Sequence, residues 1–255
     1  MKHHLPLPER GAQWALFLDV DGTLAEIALT PSAVEITDHA RDTLSRLAVA
    51  CGGAVALISG RTITDVDRLF APLHLPVAGL HGLERRDGEG QVSRAPAQGP
   101  QLDNARGALK NFVAGHPGTL IEDKGMTLAL HFRQAPAAEA DARALVTELV
   151  AAARGALVVQ HGKMVLELRP MGGDKGSAVR AFMGEPPFAS RLPIFVGDDV
   201  TDEAGFATIN EMNGLSIRVG DGTPTCARYD GASVAAIHAW LDAAADVLGA
   251  PPAAS

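Results

Sequence analysis

The chain has 255 residues, about 1.7 domains at ~150 residues per domain, so it forms one large fold or two modest ones. Its hydrophobic share of 47% is enough for a buried core, and 27 glycines with 16 prolines fall short of a low-complexity chain. The 22 basic and 30 acidic residues leave a net charge of −8, which excludes broad electrostatic binding to nucleic acid or an anionic membrane but not a locally positive pocket for a small anion.

Cys51 and Cys226 offer neither a CxxC pair nor a disulfide framework, and both are expected as small buried hydrophobes. That usage fits a reducing cytoplasm. The opening MKHHLPLPERGAQW is broken by Pro6, Pro8, Glu9 and Arg10, so no signal-peptide apolar region is expected. No run approaches ~18 apolar residues, so a membrane span is not expected either.

In chain order, ALFLD at 15–19 is an unalternating apolar run of the kind buried on both faces of a parallel sheet. Residues 37–50 follow as a helix with Leu44, Leu47 and Ala48 on one face. A second strand, AVALIS at 54–59, precedes Thr62, which is placed to cap a helix over TDVDRLF. A third strand covers PVAGL at 76–80. ERRDGEGQVSRAPAQGP, at 84–100, is polar throughout and is expected as a connector.

The pattern then changes. TLIEDKGMTLALHFR at 119–133 alternates, with Leu128, Leu130 and Phe132 facing one way and Ala129, His131 and Arg133 the other. Pro136 sits at the first turn of a helix ending near Gly155, striped by Leu145, Val146, Leu149 and Val150. ALVVQHGKMVLELRP is expected as two strands joined at His161–Gly162, the second alternating Met164, Leu166 and Leu168 with Lys163, Val165, Glu167 and Arg169. Buried strands return at 193–198 and 215–220, and a helix over 232–248 closes the pattern.

The fold class is therefore α/β: a doubly wound parallel-sheet core interrupted by a smaller unit of roughly 70 residues with one polar sheet face. The expected bounds are 1–98 and 171–255 for the core and 99–170 for the insertion, with hinges near 95–103 and 168–173.

Ligands of open α/β sheets bind at the carboxyl ends of strands, and several of these strands end in polar residues. The first ends Asp19-Val20-Asp21-Gly22-Thr23. Two carboxylates two residues apart can hold a hard cation, or divide nucleophilic and acid–base work; a capped turn is the bland alternative. Ser59-Gly60-Arg61 offers a hydroxyl and backbone N–H groups ahead of a helix, either as a phosphate cradle or simply as a cap. Lys175, opening a helix after Asp174, could neutralise a phosphoryl group or be a solvated lysine. Gly197-Asp198-Asp199-Val200-Thr201-Asp202-Glu203 crowds carboxylates at a strand end, although Glu203 alone suits a helix N-terminus.

Taken in order, DxDGT, Ser59, Lys175 and GDDxxD resemble the four motifs of the haloacid dehalogenase superfamily of phosphotransferases. That resemblance implies Asp19 as the nucleophile that forms an aspartyl-phosphate, and Asp21 as the acid and base. It also implies Mg2+ held by Asp19, the Asp21 backbone carbonyl and Asp198, with Asp199 or Asp202 completing or orienting the shell. A cation is needed because like unit charges ~4 Å apart repel by about 4 kcal/mol at an effective dielectric of 20. Ser59 and Lys175 would hold the phosphoryl oxygens. An aspartate at position 21 is similar to phosphatases and mutases of the superfamily, whereas its ATPases carry threonine.

The insertion lies where this superfamily places an α/β cap. Together with LFLDVDGTLA at 16–25, the segments GLHGLE at 79–84, EDKG at 122–125, HFR at 131–133, GKMVLELRP at 162–170 and GDDVTDE at 197–203 resemble the trehalose-6-phosphate phosphatases. The resemblance implies Glu122, Lys124 and Glu167 as the grip on the distal glucose, with His131, Arg133, Lys163 and Arg169 as further candidates. Gly60 and Arg61 would join Ser59 at the substrate, although an ion pair serves equally well for Arg61. His81 is expected to be structural. The implied protein is a cytoplasmic monomer acting on a small sugar phosphate, without nucleic-acid or membrane partners. A phosphatase for sucrose 6-phosphate or mannosyl-3-phosphoglycerate, a phosphomutase, and a non-catalytic sugar-phosphate sensor are the alternatives.

Overall fold

Strand β1, Trp14–Leu18, is buried at every position, as its unbroken apolar run requires. In this computed structural model, which describes residues 5–95, 99–222 and 224–250, it begins an alternation of strands and helices. Helix α1 (Asp38–Ala50) starts at Thr37, whose side chain accepts from the Ala40 N–H. Then come β2 (Val55–Ile58) and α2 (Ile63–Phe70), the latter capped by Thr62 through the Asp65 N–H. Next are β3 (Val77–Gly79), β4 (Glu84–Arg86) and β5 (Val92–Arg94).

Helix α3 (Pro100–Gly115), β6 (Leu120–Asp123), β7 (Leu128–His131), α4 (Glu139–Ala152), β8 (Leu157–Gly162) and β9 (Val165–Pro170) follow. The chain continues with α5 (Lys175–Met183), β10 (Leu192–Gly197), α6 (Glu203–Glu211), β11 (Leu215–Val219), β12 (Tyr229–Gly231) and α7 (Val234–Gly249).

The chain divides into two compact units, Met1–Arg94 with Gly173–Ser255, and Ala95–Gly172. In the first, eight strands form one sheet in the order β12-β11-β10-β1-β2-β3-β4-β5, parallel from β12 to β3 and antiparallel beyond. The chain leaves β1 towards β2 and leaves β10 in the opposite direction towards β11, so the strand order reverses between β1 and β10. Right-handed crossovers running in opposite directions put α1 and α6 on opposite faces. Accordingly, α1 packs with α7 and α5 with α6. The core between these layers includes Phe17, Phe182 and Phe188 in mutual ring contact.

The second unit is a four-stranded antiparallel sheet, β6-β7-β9-β8. Its own apolar cluster joins Leu128, Leu130, Phe132, Leu166 and Leu168 to Leu102 and Leu109 of α3 and Val146 of α4. The alternation read from the sequence is thus real: every second residue of β7 and β9 faces the helices.

Four sequence expectations need correction. Residues 84–94 are no connector: β4 and β5 form a hairpin that extends the large sheet at its edge. An edge strand needs little apolar patterning, which is why its charged residues hid it. Helix α3 was overlooked for a similar reason, since only Leu102, Ala105 and Leu109 of its sixteen residues are buried. The β8–β9 hairpin turns at Lys163–Met164 rather than His161–Gly162, with Met164 in the left-handed region at φ +64°. Among the cysteines, Cys51 is buried but Cys226 is exposed. Residues 96–98 of the expected first hinge lie outside the described residues.

The added hairpin is clamped to α2. Arg86 Nη1 and Nη2 donate to the two Asp67 carboxylate oxygens at 2.8 and 2.7 Å, and Nη2 also reaches the Leu75 carbonyl at 2.7 Å. Hydrogen bonding from Arg86, against the opposing effect of burial, lowers the Asp67 pKa. A depressed folded-state value means the contribution is present above the unfolded value and is lost as pH falls through the folded one. Asp67→Asn is therefore expected to cost about 1 kcal/mol in denaturant unfolding at pH 7. The gap between variant and wild type should close below about pH 4.

Candidate active site

The strand order reverses between β1 and β10, and the acidic residues converge there. Leu18 pairs with Val196, and the Asp19 N–H donates to the Val196 carbonyl at 2.9 Å, so Asp19 and Asp198 leave adjacent parallel strands side by side. Immediately after Asp19 the chain turns back on itself: Leu24 and Ala25 N–H both donate to the Val20 carbonyl, and Gly22 N–H to Ala25. Gly22 has φ +89°, and a Cβ there would overlap the Asp198 carboxylate. Only glycine satisfies both the backbone and the space.

Lys175 is the first residue of α5, presented by Asp174, whose side chain accepts from the Ser177 N–H. It is not a surface lysine. Only 2% exposed, it donates from Nζ to Asp19 Oδ1 and to Asp202 Oδ1, each at 2.6 Å. Burial opposes its charge, but Asp19 and Asp202 more than offset that and raise its pKa, so the ammonium stays protonated. Burial raises the Asp19 pKa well above the ordinary carboxylate value, with Lys175 acting in the other direction.

Asp202 is wholly buried, and its other oxygen accepts from the backbone N–H groups of Asp198 and Asp199, both at 2.9 Å. Among the described residues, Asp19, Asp198 and Asp202 form a three-carboxylate group whose ligand atoms lie within 4.8 Å of one another. Both oxygens of Asp202 are committed to the lysine and the backbone. Asp199 is outside this group; its Oδ1 accepts from the Val200 N–H as a cap of the following turn.

The remaining core candidates gather at the end of β2. Ser59 is 1% exposed and is not a helix cap; Thr62 fills that role, while Ser59 Oγ accepts from the Arg61 N–H at 3.1 Å. Gly60 has no room for a Cβ beside the His81 ring. His81 follows Leu80 in the left-handed region, at φ +55° and +50°, and its N–H donates to the Ser59 carbonyl. Two such non-glycine residues in succession are strained, and they brace the back of the Ser59 turn. Arg61 pairs in a fork with Asp21, Nε to Oδ2 and Nη2 to Oδ1, both at 2.7 Å.

The second unit carries its candidates on one sheet face. Glu122, Ala129, Glu167 and Gln160 are direct neighbours across β6, β7, β9 and β8. Glu167 Oε1 accepts from Thr127 Oγ1 at 2.6 Å and from Lys124 Nζ at 3.4 Å. Glu122 Oε2 meets His131 Nε2 at 3.0 Å. Burial works against the Glu122 charge, but the His131 hydrogen bond and the Lys124 ammonium carry its pKa below the ordinary value. Arg133 donates to the Lys163 carbonyl, and Arg169 to the Gly172 carbonyl.

Sequence reasoning missed Thr127, which holds the Glu167 carboxylate. Thr127 gave no signal beyond its place in an alternating run.

A family model for trehalose-phosphatase matches residues 17–234. A probable trehalose-phosphate phosphatase of Sinorhizobium fredii is 46% identical, over 83% of this chain and 79% of its own. The trehalose-6-phosphate phosphatase of Escherichia coli K12 is 42% identical, over 92% and 88%. Among solved structures, a trehalose-6-phosphate phosphatase related protein aligns with a TM-score of 0.74 at 28% identity, covering 89% of this chain and 94% of that one. A haloalkanoate-superfamily phosphatase from Bacteroides thetaiotaomicron shares the fold, with a TM-score of 0.60 at 17% identity over 92% and 96%. On the family match and these identities, the chain belongs to the trehalose-phosphatase family.

Proposed function

We propose that the protein hydrolyses trehalose 6-phosphate to trehalose and inorganic phosphate, with Asp19 as nucleophile and Mg2+ as cofactor. The observation that carries this reading is the buried Asp19–Lys175–Asp202 chain beside Asp198, at the reversal point of the sheet in a chain of this family. A carboxylate braced by a permanent ammonium is held in place for attack on phosphorus.

The residues present fit a hard divalent cation. Their donors are all oxygen, and Gly22 keeps open the space that a side chain would otherwise fill against the Asp198 carboxylate. Asp19, Asp198 and the Asp21 backbone carbonyl would hold it. Asp202 and Asp199, whose oxygens serve the lysine and the local backbone, support the site from behind. When bound, the cation supplies the positive charge that lets an anionic carboxylate approach an anionic phosphate.

In the first half-reaction an Asp19 oxygen bonds to phosphorus as the phosphorus–sugar oxygen bond breaks, and Asp21 gives its proton to the departing alkoxide. In the second, Asp21 takes a proton from water, whose oxygen bonds to phosphorus as the Asp19–phosphorus bond breaks. Phosphate leaves and Asp19 is regenerated. Ser59 and Lys175 steady the phosphoryl oxygens. Arg61 occupies both Asp21 oxygens in this state, so Asp21 leaves the fork and carries a proton when it acts as the acid.

The polar face of the second unit supplies sugar recognition. Glu167 and Glu122, each already held by a neighbour, can accept hydrogen bonds from sugar hydroxyls with little loss of side-chain freedom. Lys124, His131 and Arg133 complete the set. The two isolated cysteines support a cytoplasmic location.

Two outcomes test this reading. Asp19→Asn should abolish phosphate release from trehalose 6-phosphate while cooperative thermal unfolding persists; turnover near the wild-type rate would refute the nucleophile. Glu167→Ala should lower kcat/KM for trehalose 6-phosphate by roughly 10- to 100-fold, the equivalent of one to two charged hydrogen bonds. Hydrolysis of an aryl phosphate, which presents no sugar, should change by less than about threefold, and equal losses on both would rule out a sugar-binding role.

A further inference from the structure

Strand β10 ends at Gly197, so the peptide of Asp198 lies beyond the sheet ladder and needs other partners. Two charged side chains supply them. The Asp198 N–H donates to Asp202 Oδ2 at 2.9 Å, and the Asp198 carbonyl accepts from Arg218 Nη2 at 2.8 Å. The residue is thus gripped on both backbone atoms while its carboxylate stands in the three-carboxylate group. Arg218 is held in turn. Its Nη1 donates to Glu203 Oε1 at 2.8 Å, and Glu203 Oε2 accepts from the Cys226 N–H at 2.7 Å.

A Cβ at Gly222 would overlap the Arg218 guanidinium, so the loop after β11 lies directly on that group. Arg218 and Glu203 have side chains only 11% and 23% exposed. Placing an ion pair there carries a desolvation cost that an apolar pair would avoid. A staple between β11 and α6 alone would need no guanidinium aimed at the carbonyl of Asp198. Glu203 also does more than complement a helix dipole, since both its oxygens accept hydrogen bonds from outside α6.

We propose that Arg218 and Glu203 are positioning residues that fix the Asp198 peptide and thereby set the affinity of the site for its divalent cation. The proposal rests on the reading of Asp19 and Asp198 as cation ligands. Arg218 fixes the peptide, and the peptide fixes the direction in which the carboxylate leaves the backbone. With the guanidinium removed, the carbonyl loses its charged donor and the peptide is held less firmly, so more of the carboxylate's order must be supplied on each binding event. Partners of metal ligands characteristically control affinity by about 10- to 100-fold.

The test is Mn2+ binding to the purified full chain, followed by electron paramagnetic resonance without substrate and accompanied by thermal unfolding. Arg218→Met should weaken Mn2+ binding by about 10- to 100-fold. Glu203→Gln should weaken it less, because the guanidinium keeps its bond to the carbonyl and loses only the charge and one acceptor oxygen of its anchor. Arg218→Lys should fall between Arg218→Met and wild type, since one ammonium cannot span both partners as the fork does. In turnover, the Mg2+ concentration for half-maximal rate should rise while the rate at saturating Mg2+ recovers.

Asp198→Asn separates the proposal from the reading beneath it. If that variant binds Mn2+ as tightly as wild type, the ligand assignment fails. If it loses Mn2+ while folded Arg218→Met and Glu203→Gln bind normally, the positioning role alone is overturned. Should Arg218→Met not fold, unchanged affinity in Glu203→Gln and Arg218→Lys overturns the proposal.

Discussion

An ammonium group taken out of water costs several kcal/mol unless opposite charge meets it at close range. Lys175 is buried and meets two carboxylates, Asp19 and Asp202, at 2.6 Å each. That contact ties three parts of the chain together: the end of β1, the start of α5 and the turn after β10. Each is local in sequence, yet none could tolerate its charge at this depth without the others. The active-site arrangement depends on this one constraint, because the same interaction that keeps the lysine protonated also orders the proposed nucleophile.

The constraint spreads outward through Asp202. One of its oxygens serves Lys175, and the other accepts the N–H groups of residues 198 and 199. The lysine therefore stabilises the loop that carries Asp198 as well as the residue beside it. Gly22 and Gly197 are part of the same packing. A side chain on Gly22 would run into the Asp198 carboxylate, and one on Gly197 into Asp202. Small residues at these positions allow three aspartates to approach one another, and the charges present determine which oxygens stay committed to the protein.

The second unit solves a different problem with similar means. Its antiparallel sheet buries one face against α3 and α4, which fixes the register and leaves Glu122 and Glu167 on the opposite face. Charged residues on a solvated face are unremarkable by themselves. Here Thr127, Lys124 and His131 hold the two carboxylates in defined orientations. Ordered acceptors of this kind suit hydroxyl-rich ligands, which reward direction more than charge.

Much of this was legible in the residues. Buried strands announced themselves by unbroken apolar runs, the cap residue Thr62 marked its helix, and the alternation at 128–133 and 164–169 assigned faces correctly. These are local patterns, and local patterns report which side of an element is buried. The hairpin at 84–94 and helix α3 escaped because edge strands and lightly buried helices carry little of that signal.

At the site, the sequence by itself determined which chemistry-bearing residues stand at strand ends and helix starts, and hence the candidates: the aspartates, Ser59 and Lys175. It left Arg61 open between substrate and ion pair, and left open whether Asp199 or Asp202 belongs with the metal. Tertiary structure sets their partners: Arg61 pairs with Asp21, Asp202 serves Lys175 and the backbone while standing beside Asp19 and Asp198, and Asp199 caps a turn. It also brought Arg218 from twenty residues away to the Asp198 carbonyl. A residue's partner is set by the packing of distant segments, and no spacing within one segment encodes it.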